Sequence, residues 1–576
     1  MAIDLRNSEL ELAADVLVLG GGPAGTWAAL TAAAKGAKVV LADKGYCGTS
    51  GATAPSGTGV WYVQPERELR EQAKSSRYEL GGRLAEHRWM DRVLDRTYAS
   101  MDRLGEAGYP YPRDERGEPL RRSLQGPEYM RLMRRLVRKA GVTILDHSPA
   151  MELLADEHGV GGARGTRLQA GGSWTVRAGA VVVATGGCAF LSKALGCNVL
   201  TGDGYLLAVE AGAQLSGMEF SNAYAISPTF SSVTKTAYYS YASFYDEDGA
   251  ELEGAGSKKG RSVIARSLLQ GRQVFARLDR APEELRPLLR VGQTNFFLPF
   301  DRRGIDPFRE KFPVTLRLEG TVRGTGGIRI ADESCGTAVP GLYAAGDAAT
   351  RELICGGFTG GGSHNAAWAM SSGSFAGEGA ARFALRLGAA AAKRALRGRS
   401  STPLASDGGP DEAASARRTE ERIRAVQAEV APYDRNLFRT ERGLTESLGR
   451  LDGLWREQRE AASGFAESGV RAREAAAMTA TARWMYASAL ARPETRGMHK
   501  REDHPGTDPA QRHRIVASGL DDIRIAREQV ADAPGAEGGE RRPVPAASGA
   551  AGAAAPGAAG DGFGRSAAPQ KEAPLP

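Results

Sequence analysis

The run ADVLVLGGGPAGTWAALTAAAKGAKVVLADKG, which begins at Ala14, limits what this chain can fold into more than any other segment. A short apolar strand meets a glycine turn, an alanine-rich helix follows, and AKVVLAD reads as a second strand, so the stretch is one βαβ unit. Gly20, Gly22 and Gly25 form G-x-G-x-x-G at the strand-to-helix turn. The first glycine permits the tight turn, the second lets a pyrophosphate approach the backbone, and the third allows close packing of helix on strand. Pro23 and Ala24 open the helix, whose N-terminus presents free N–H donors and about half a positive charge to phosphate. Asp43, followed by Lys44, ends the second strand, where an acid accepts hydrogen bonds from ribose hydroxyls. Strand, helix and terminal acid agree, so the unit reads as a dinucleotide site.

The chain of 576 residues is long enough for several domains around large cores. A helical region is expected from roughly Pro65 to Gly108, and the AVVVAT run of VRAGAVVVATGG reads as a buried parallel strand. From about Gly217 to Gly320, aromatic and polar loops break the α/β rhythm, which predicts an inserted second domain. The rhythm returns near Thr321 with PGLYAAGDAA and the small-residue helix HNAAWAMSSGSFAGEGAARFA. After a polar linker, Leu444, Leu448, Leu451 and Leu454 form one apolar stripe of an amphipathic helix. Beyond about Val530 a Pro/Gly/Ala tract carries almost no large apolar residue, so burial cannot offset its ordering entropy and disorder is expected.

Several function classes fall away on composition. The net charge of +7 comes from 75 Lys+Arg against 68 Asp+Glu without a basic arm, which argues against nucleic acid as a partner. No apolar run reaches the roughly 20 residues of a membrane span, and MAIDLRNSELELAAD lacks the basic and apolar regions of a signal peptide. The expected location is cytoplasmic. Five cysteines are scattered with no C-x-x-C pair, so no metal or cluster site is expected, and electrons are expected to travel on an organic cofactor.

Distant motifs choose the cofactor. SGAT (Ser50, Gly51, Ala52, Thr53), ATGG (Ala184, Thr185, Gly186, Gly187), TGDG with Asp203, and PGLYAAGDAA with Gly346 and Asp347 accompany the glycine turn. Together they resemble the fumarate reductase and succinate dehydrogenase flavoprotein superfamily, from about Ala14 to Val530. The resemblance implies FAD, with Asp347 near its ribityl or pyrophosphate region, the SGAT loop beside the isoalloxazine, and Ser363 and His364 brought to the ring. The implied fold class is α/β: a Rossmann-like FAD-binding domain (1–216 and 321–385) with an inserted α+β capping domain (217–320) and a C-terminal helical domain (410–530). A linker (386–409) and a disordered tail (531–576) complete the division. Respiratory members join FAD to a histidine in an S-H-T loop; Ser50, Gly51 and Ala52 offer no such nucleophile, so non-covalent FAD is expected.

The substrate side departs from the family. RSVIARSLLQGRQVFARLD resembles the segment whose arginine moves a proton while hydride is exchanged at flavin N5, and Arg266 is expected in that role. Ser227 stands where relatives have the histidine of Q-F-H-P-T, and Val322 to Ile328 replaces H-Y-x-M-G-G-I, with Arg323 a candidate contact for an anion. Cys355 and Thr359 stand at the histidine and arginine of the dicarboxylate clamp. A small organic substrate other than succinate or fumarate is therefore expected, with Tyr224, Tyr238 and Tyr239 as candidate pocket residues. RWMYASALARPETRGMHKREDHP resembles a family segment whose Arg492, Glu494, Arg496, His499, Arg501 and Asp503 would dock the helical domain on the flavin domain. Two alternatives stay open: an adenylylsulfate-reductase-like flavoprotein with an iron–sulfur or ferredoxin-like electron-transfer partner, and a flavin-binding scaffold with a decayed substrate site.

Overall fold

The computed structural model describes residues 9–113, 116–256, 260–358, 362–400, 412–464 and 469–530. Strand β1 (Leu10–Leu19), helix α1 (Pro23–Ala34) and strand β2 (Val39–Ala42) form the expected βαβ unit. β1 lies between two parallel neighbours, pairing Val18 with Leu41 of β2 and Leu17 with Val181 of the strand Ser173–Val183. Val16 to Leu19 and Ala180 to Val183 are fully buried, which is why these runs are apolar without alternation. The sheet has eight strands and is mixed: Ala150–Asp156, Gly159–Thr166 and Ser173–Val183 run antiparallel to one another on one side of β1, and Leu342–Ala344 adds in parallel to Ser173–Val183.

The helix Gly362–Leu387 crosses α1 at very close range. A Cβ on Gly373 or Gly377 would collide with the carbonyl of Ala24 or Ala28, so the small residues of this segment are what allow the two backbones to touch. The expected helical region resolves into Arg67–Leu80 and His87–Glu106.

Between Ser216 and Thr321 the chain builds a separate four-stranded antiparallel sheet, in the order Ala223–Pro228, Phe312–Gly320, Val274–Arg277, Ser243–Asp246. Phe296, Phe300 and Phe312 are completely buried and, with Phe297 and Tyr239, pack in edge and tilted contacts that fill this lobe. The lobe meets the dinucleotide unit where Thr321 N donates to Cys188 O and Cys188 N to the Thr321 hydroxyl, and where Asn295 Nδ2 donates to Pro55 O at 2.6 Å.

Helices Glu412–Val430, Glu441–Gly464 and Val470–Leu490 form the C-terminal layer, with Leu444 and Leu451 fully buried on the expected stripe. The end of this region is not helical. His513–Ser518 and Arg524–Gln529 form a hairpin that pairs with Leu215–Ser216 and so returns the chain to the first half of the molecule. Arg492 bridges Glu219 and Glu494, Arg496 pairs with Glu494 and donates to Gly82 O, and Arg501 pairs with the partly exposed Asp503, so this turn ties the layer to the first half of the chain through charges that are otherwise buried. No described helix is long and apolar enough to cross a membrane. The residues expected to be disordered, 531–576, lie outside the described residues.

Candidate active site

A cavity of about 840 Å³ runs from the glycine turn to the inserted lobe. That is toward the large end of the roughly 300–1,000 Å³ typical of cofactor and ligand sites. Its wall includes Gly20, Gly22, Pro23, Ala24, Asp43, Lys44, Ser50, Gly51, Ala52, Thr53, Ala184, Thr185, Gly186, Asp203, Gly346, Asp347 and Ser363, residues more than 300 positions apart brought to one groove. Gly25 is the exception among the expected cofactor residues. It does not reach the cavity, because it faces β1: a Cβ there would strike Gly20 O, the close packing its place in the motif demands.

The glycine turn fits a dinucleotide phosphate. Gly20 has φ +108° and a Cβ there would strike Ala184 O, whereas a Cβ on Gly22 would meet nothing within 4 Å, leaving the approach to the α1 N-terminus open. Asp43 accepts from the backbone N–H of Gly21 and Gly45 and from Ser50 Oγ, which links the end of β2 to the SGAT loop. Thr185 Oγ1 is buried in the same wall without a hydrogen-bond partner among the described residues. Lys44 pairs with Asp203 at 2.8 Å and Glu474 at 2.6 Å, so these two expected cofactor residues hold each other and bring the C-terminal layer to the groove. Asp347 pairs with Arg351, whose guanidinium also donates to the carbonyls of Thr321 and Gly324, and burial, followed by the opposing pull of Arg351, leaves its carboxyl pKa raised.

Two sets of similarities accompany this geometry. The FAD binding domain family matches residues 15–229, and the fumarate reductase flavoprotein C-terminal family matches residues 428–535. The chain belongs to the fumarate reductase and succinate dehydrogenase flavoprotein superfamily. An L-aspartate oxidase of Streptomyces coelicolor is 29% identical over 579 residues, covering 91% of this chain and 94% of the relative. A CoM/CoB fumarate reductase chain from Methanothermobacter marburgensis is 24% identical, covering 87% and 96%. Among solved structures, an E. coli quinol fumarate reductase FrdA superposes with TM-score 0.75 at 21% identity, covering 91% of this chain and 98% of that one. As a member of this superfamily the chain is an FAD-dependent oxidoreductase.

The superfamily's substrate side is where the sequence expectations need correction. Arg266 does not line the cavity. Its side chain is 59% exposed, pairs with Glu502 at 2.8 Å and lies over the Phe438 ring. The arginine of this helix that does line the cavity is Arg261. Five residues on a helix turn the side chain by about 500°, roughly 140° away from the starting face, so the two arginines cannot share a wall. His364 is not at the cavity surface either: it is 1% exposed, packs in a tilted contact with its ring centroid 4.4 Å from that of Trp61, and its Nδ1 faces Ser363 Oγ at 3.1 Å. Burial, and then the nearby charge of Arg77, push its pKa well below the usual histidine value, so the ring is neutral. Ser227 is buried and donates to Ser231 O, Tyr224 donates to the carbonyls of Val430 and Ala431, and Tyr238 to Leu289 O; none of the three lines the cavity. Cys355 is buried behind the wall, and Thr359 lies outside the described residues.

In their place the lobe turns a cluster of charge toward the cavity. Lys235 bonds Glu319 at 2.8 Å and Cys197 Sγ at 3.2 Å, and Arg323 approaches the same carboxylate at 3.3 Å. Glu319 is completely buried; burial alone would raise its pKa, but Lys235 and Arg323 together with the Thr234 hydroxyl hold it down at about 2. Burial, which opposes the charge on Lys235, is outweighed by Glu319, so that ammonium also stays protonated. Arg261 sits in their field without an ion pair of its own among the described residues; burial first, and then Arg323, lower its pKa to about 10 against the pull of Glu319. Tyr239 also lines the cavity, with a buried hydroxyl that has no partner among the described residues. Lys235, Arg261 and Glu319 escaped the sequence reading. The one local signal was a lysine in SSVTKTAYYSY, a run otherwise free of charge.

Proposed function

We propose that the chain oxidises or reduces a small organic anion, with FAD held non-covalently along the glycine turn. The observation that carries this reading is the surplus positive charge at the lobe end of the cavity, where Lys235 and Arg323 share one carboxylate, Glu319, and Arg261 has no ion pair among the described residues. An entering acid group completes that charge balance; at an effective dielectric of about 20, opposite charges about 4 Å apart attract by about 4 kcal/mol. Relatives named for L-aspartate and fumarate support the same class of small acid. Succinate and fumarate themselves fit poorly, because Ser227, Val322, Cys355 and Thr359 stand where the dicarboxylate-binding histidines and arginine of respiratory members are expected.

The residues that would hold FAD are Gly20 to Ala24 at the pyrophosphate, Asp43 at the adenosine ribose, and Ser50 to Thr53 with Ser363 along the ring. No histidine or cysteine lines the cavity among the described residues, which supports a dissociable cofactor. When bound, FAD supplies a two-electron carrier at the mouth of the lobe. Arg261, with its pKa drawn down to about 10, gives a proton to the substrate carbon, or takes one back, more readily than a solvated guanidinium does. Glu319, held ionised, moves no proton itself; it fixes Lys235 and Arg323 where they meet the anion. Tyr239 offers the bound acid an O–H that no described group uses.

Arg261→Gln and Arg266→Gln separate this reading from the one that rests on motif spacing. A panel of small acids is first tested for anaerobic bleaching of the bound flavin, and turnover is then measured with the acid that succeeds. Arg261→Gln is expected to keep FAD and lose about 10²- to 10⁴-fold in turnover, and Arg266→Gln to stay within about twofold of wild type. Full turnover in Arg261→Gln, or bleaching by neutral compounds alone, contradicts the proposal.

A further inference from the structure

The helix Gly126–Lys139 has a sealed inner face and a cationic outer one. At about 100° per residue, Tyr129, Met130, Leu132, Met133, Leu136 and Val137 fall on one side, and all six are buried. Tyr129 lines the cavity, and its hydroxyl accepts from Trp27 Nε1 at 2.7 Å. Arg131, Arg134, Arg135, Arg138 and Lys139 fall on the other side, within an arc of about 140° that runs about 12 Å along the axis. Glu128 is the one acid of the helix, so these 14 residues carry five cations against one acid, a surplus of four in a chain whose whole surplus is +7. Two of the five are committed, Arg131 to Glu128 at 2.6 Å and Arg134 to Asp146 at 2.7 Å. Arg135, Arg138 and Lys139 are exposed and have no ion pair among the described residues; Arg135 makes a 3.5 Å contact with the Ala107 carbonyl. At the edge of the stripe Arg134 lies 4.0 Å over the Tyr46 ring, which is 40% exposed.

We propose that this stripe is a docking surface for an anionic bilayer, on which the molecule settles with the helix parallel to the headgroups. Headgroups are fluid, so they respond to charge density and make no demand on shape, and each Lys or Arg near such a surface adds to the attraction. A specific protein partner needs a desolvated core of apolar and aromatic contacts with few lysines. This face is the convex back of a helix, and beyond Pro127 it offers no apolar side chain. Nucleic acid also attracts arginines, but an amphipathic ring beside the cations suits the headgroup layer, where a tyrosine keeps its body in apolar surroundings and its hydroxyl in water. Tyr129 stands on the opposite side of the same helix, so docking lays the cavity wall about 10 Å, one helix diameter, from the lipid. The proposal is independent of what fills the cavity.

Co-sedimentation of the FAD-reconstituted full-length protein with vesicles tests this at about 0.1 M salt, where exposed charges are screened beyond about 10 Å. Vesicles of equal parts phosphatidylglycerol and phosphatidylcholine are expected to bind it at least about tenfold more tightly than vesicles of phosphatidylcholine alone, and about 1 M salt is expected to release it. The triple variant Arg135→Gln, Arg138→Gln, Lys139→Gln removes exposed cations that hold no ion pair. It is expected to lose about 100-fold in affinity for the anionic vesicles at an unchanged thermal midpoint. A control that replaces three exposed arginines of the helix Glu412–Val430, Arg417→Gln, Arg418→Gln, Arg424→Gln, is expected to stay within about twofold of wild type. Wild-type protein that ignores the anionic vesicles at about 0.1 M salt overturns the proposal without any variant. So does binding that survives in the triple variant, or an equal loss in the control, which would mean that net charge alone is at work. A duplex DNA fragment that the wild type binds at least as tightly as the anionic vesicles assigns the stripe to nucleic acid and overturns it too.

Discussion

Glu219 and Glu352 are both completely buried, and each has one carboxyl oxygen without a hydrogen-bond partner among the described residues. Arg492 pairs with Glu219, and Ser216 Oγ donates to Glu352. Burial first, and then the charge of Glu219, push the Glu352 pKa up to about 8, and burial raises Glu219 as well. The folded protein therefore binds a proton here that the unfolded chain releases near the ordinary glutamate value of about 4.3. For such a raised group the stabilising contribution is complete below the unfolded pKa and is lost as pH rises through the folded one. Thermal midpoints should accordingly fall between about pH 5 and pH 8, by roughly 3–5 °C from this pair, and Glu352→Gln should flatten that slope. A wild-type midpoint that stays level or rises across the window would argue for two ionised carboxylates. At this same scale, the place of Asp43 on the cavity wall was legible in the sequence because it follows from local spacing along one βαβ unit. Arg261 was not, because KKGRSVIARSLL is an ordinary charged helical stretch whose buried face is decided by what packs on it.

At the scale of elements, the pairing of α1 with the helix Gly362–Leu387 sets the position of the glycine turn. Gly373 and Gly377, four residues apart and so on one helix face, let the backbones of the two helices meet at Ala24 and Ala28. Gly377→Ala forces them apart. It should cost about 1–3 kcal/mol in urea unfolding and, on the proposed placement of FAD along the glycine turn that precedes α1, weaken FAD retention. Gly449, in the middle of Glu441–Gly464, has nothing within 4 Å of an added Cβ, so Gly449→Ala should be neutral or stabilise by up to about 1 kcal/mol. Equal effects of the two substitutions would mean that the close approach does not matter. The small-residue helix was readable from HNAAWAMSSGSFAGEGAARFA, because alanine and glycine in such density leave little except close backbone packing as their use. The hairpin His513–Gln529 was not, because its pairing partner, Leu215–Ser216, lies about 300 residues earlier and is only two residues long.

At the scale of the molecule, the eight-stranded sheet region and the inserted antiparallel lobe both contribute side chains to one cavity, the helical layer braces its wall through Glu474 on Lys44, and the chain end closes the arrangement by pairing with the middle of the sequence. The α/β architecture was legible because β1, α1, β2 and the AVVVAT strand carry patterns that few other folds accept. The chemistry of the lobe was not, because its cations are spread over Lys235, Arg261 and Arg323 and acquire meaning only when Glu319 gathers them. The central claim is that FAD lies in this cavity without a covalent bond, and the most direct measurement is the visible spectrum of the purified, FAD-reconstituted protein before and after acid precipitation. The account predicts a flavin absorption band from the folded protein and release of all the yellow colour into the supernatant. A colourless protein after reconstitution, or flavin that stays with the precipitate, would contradict it.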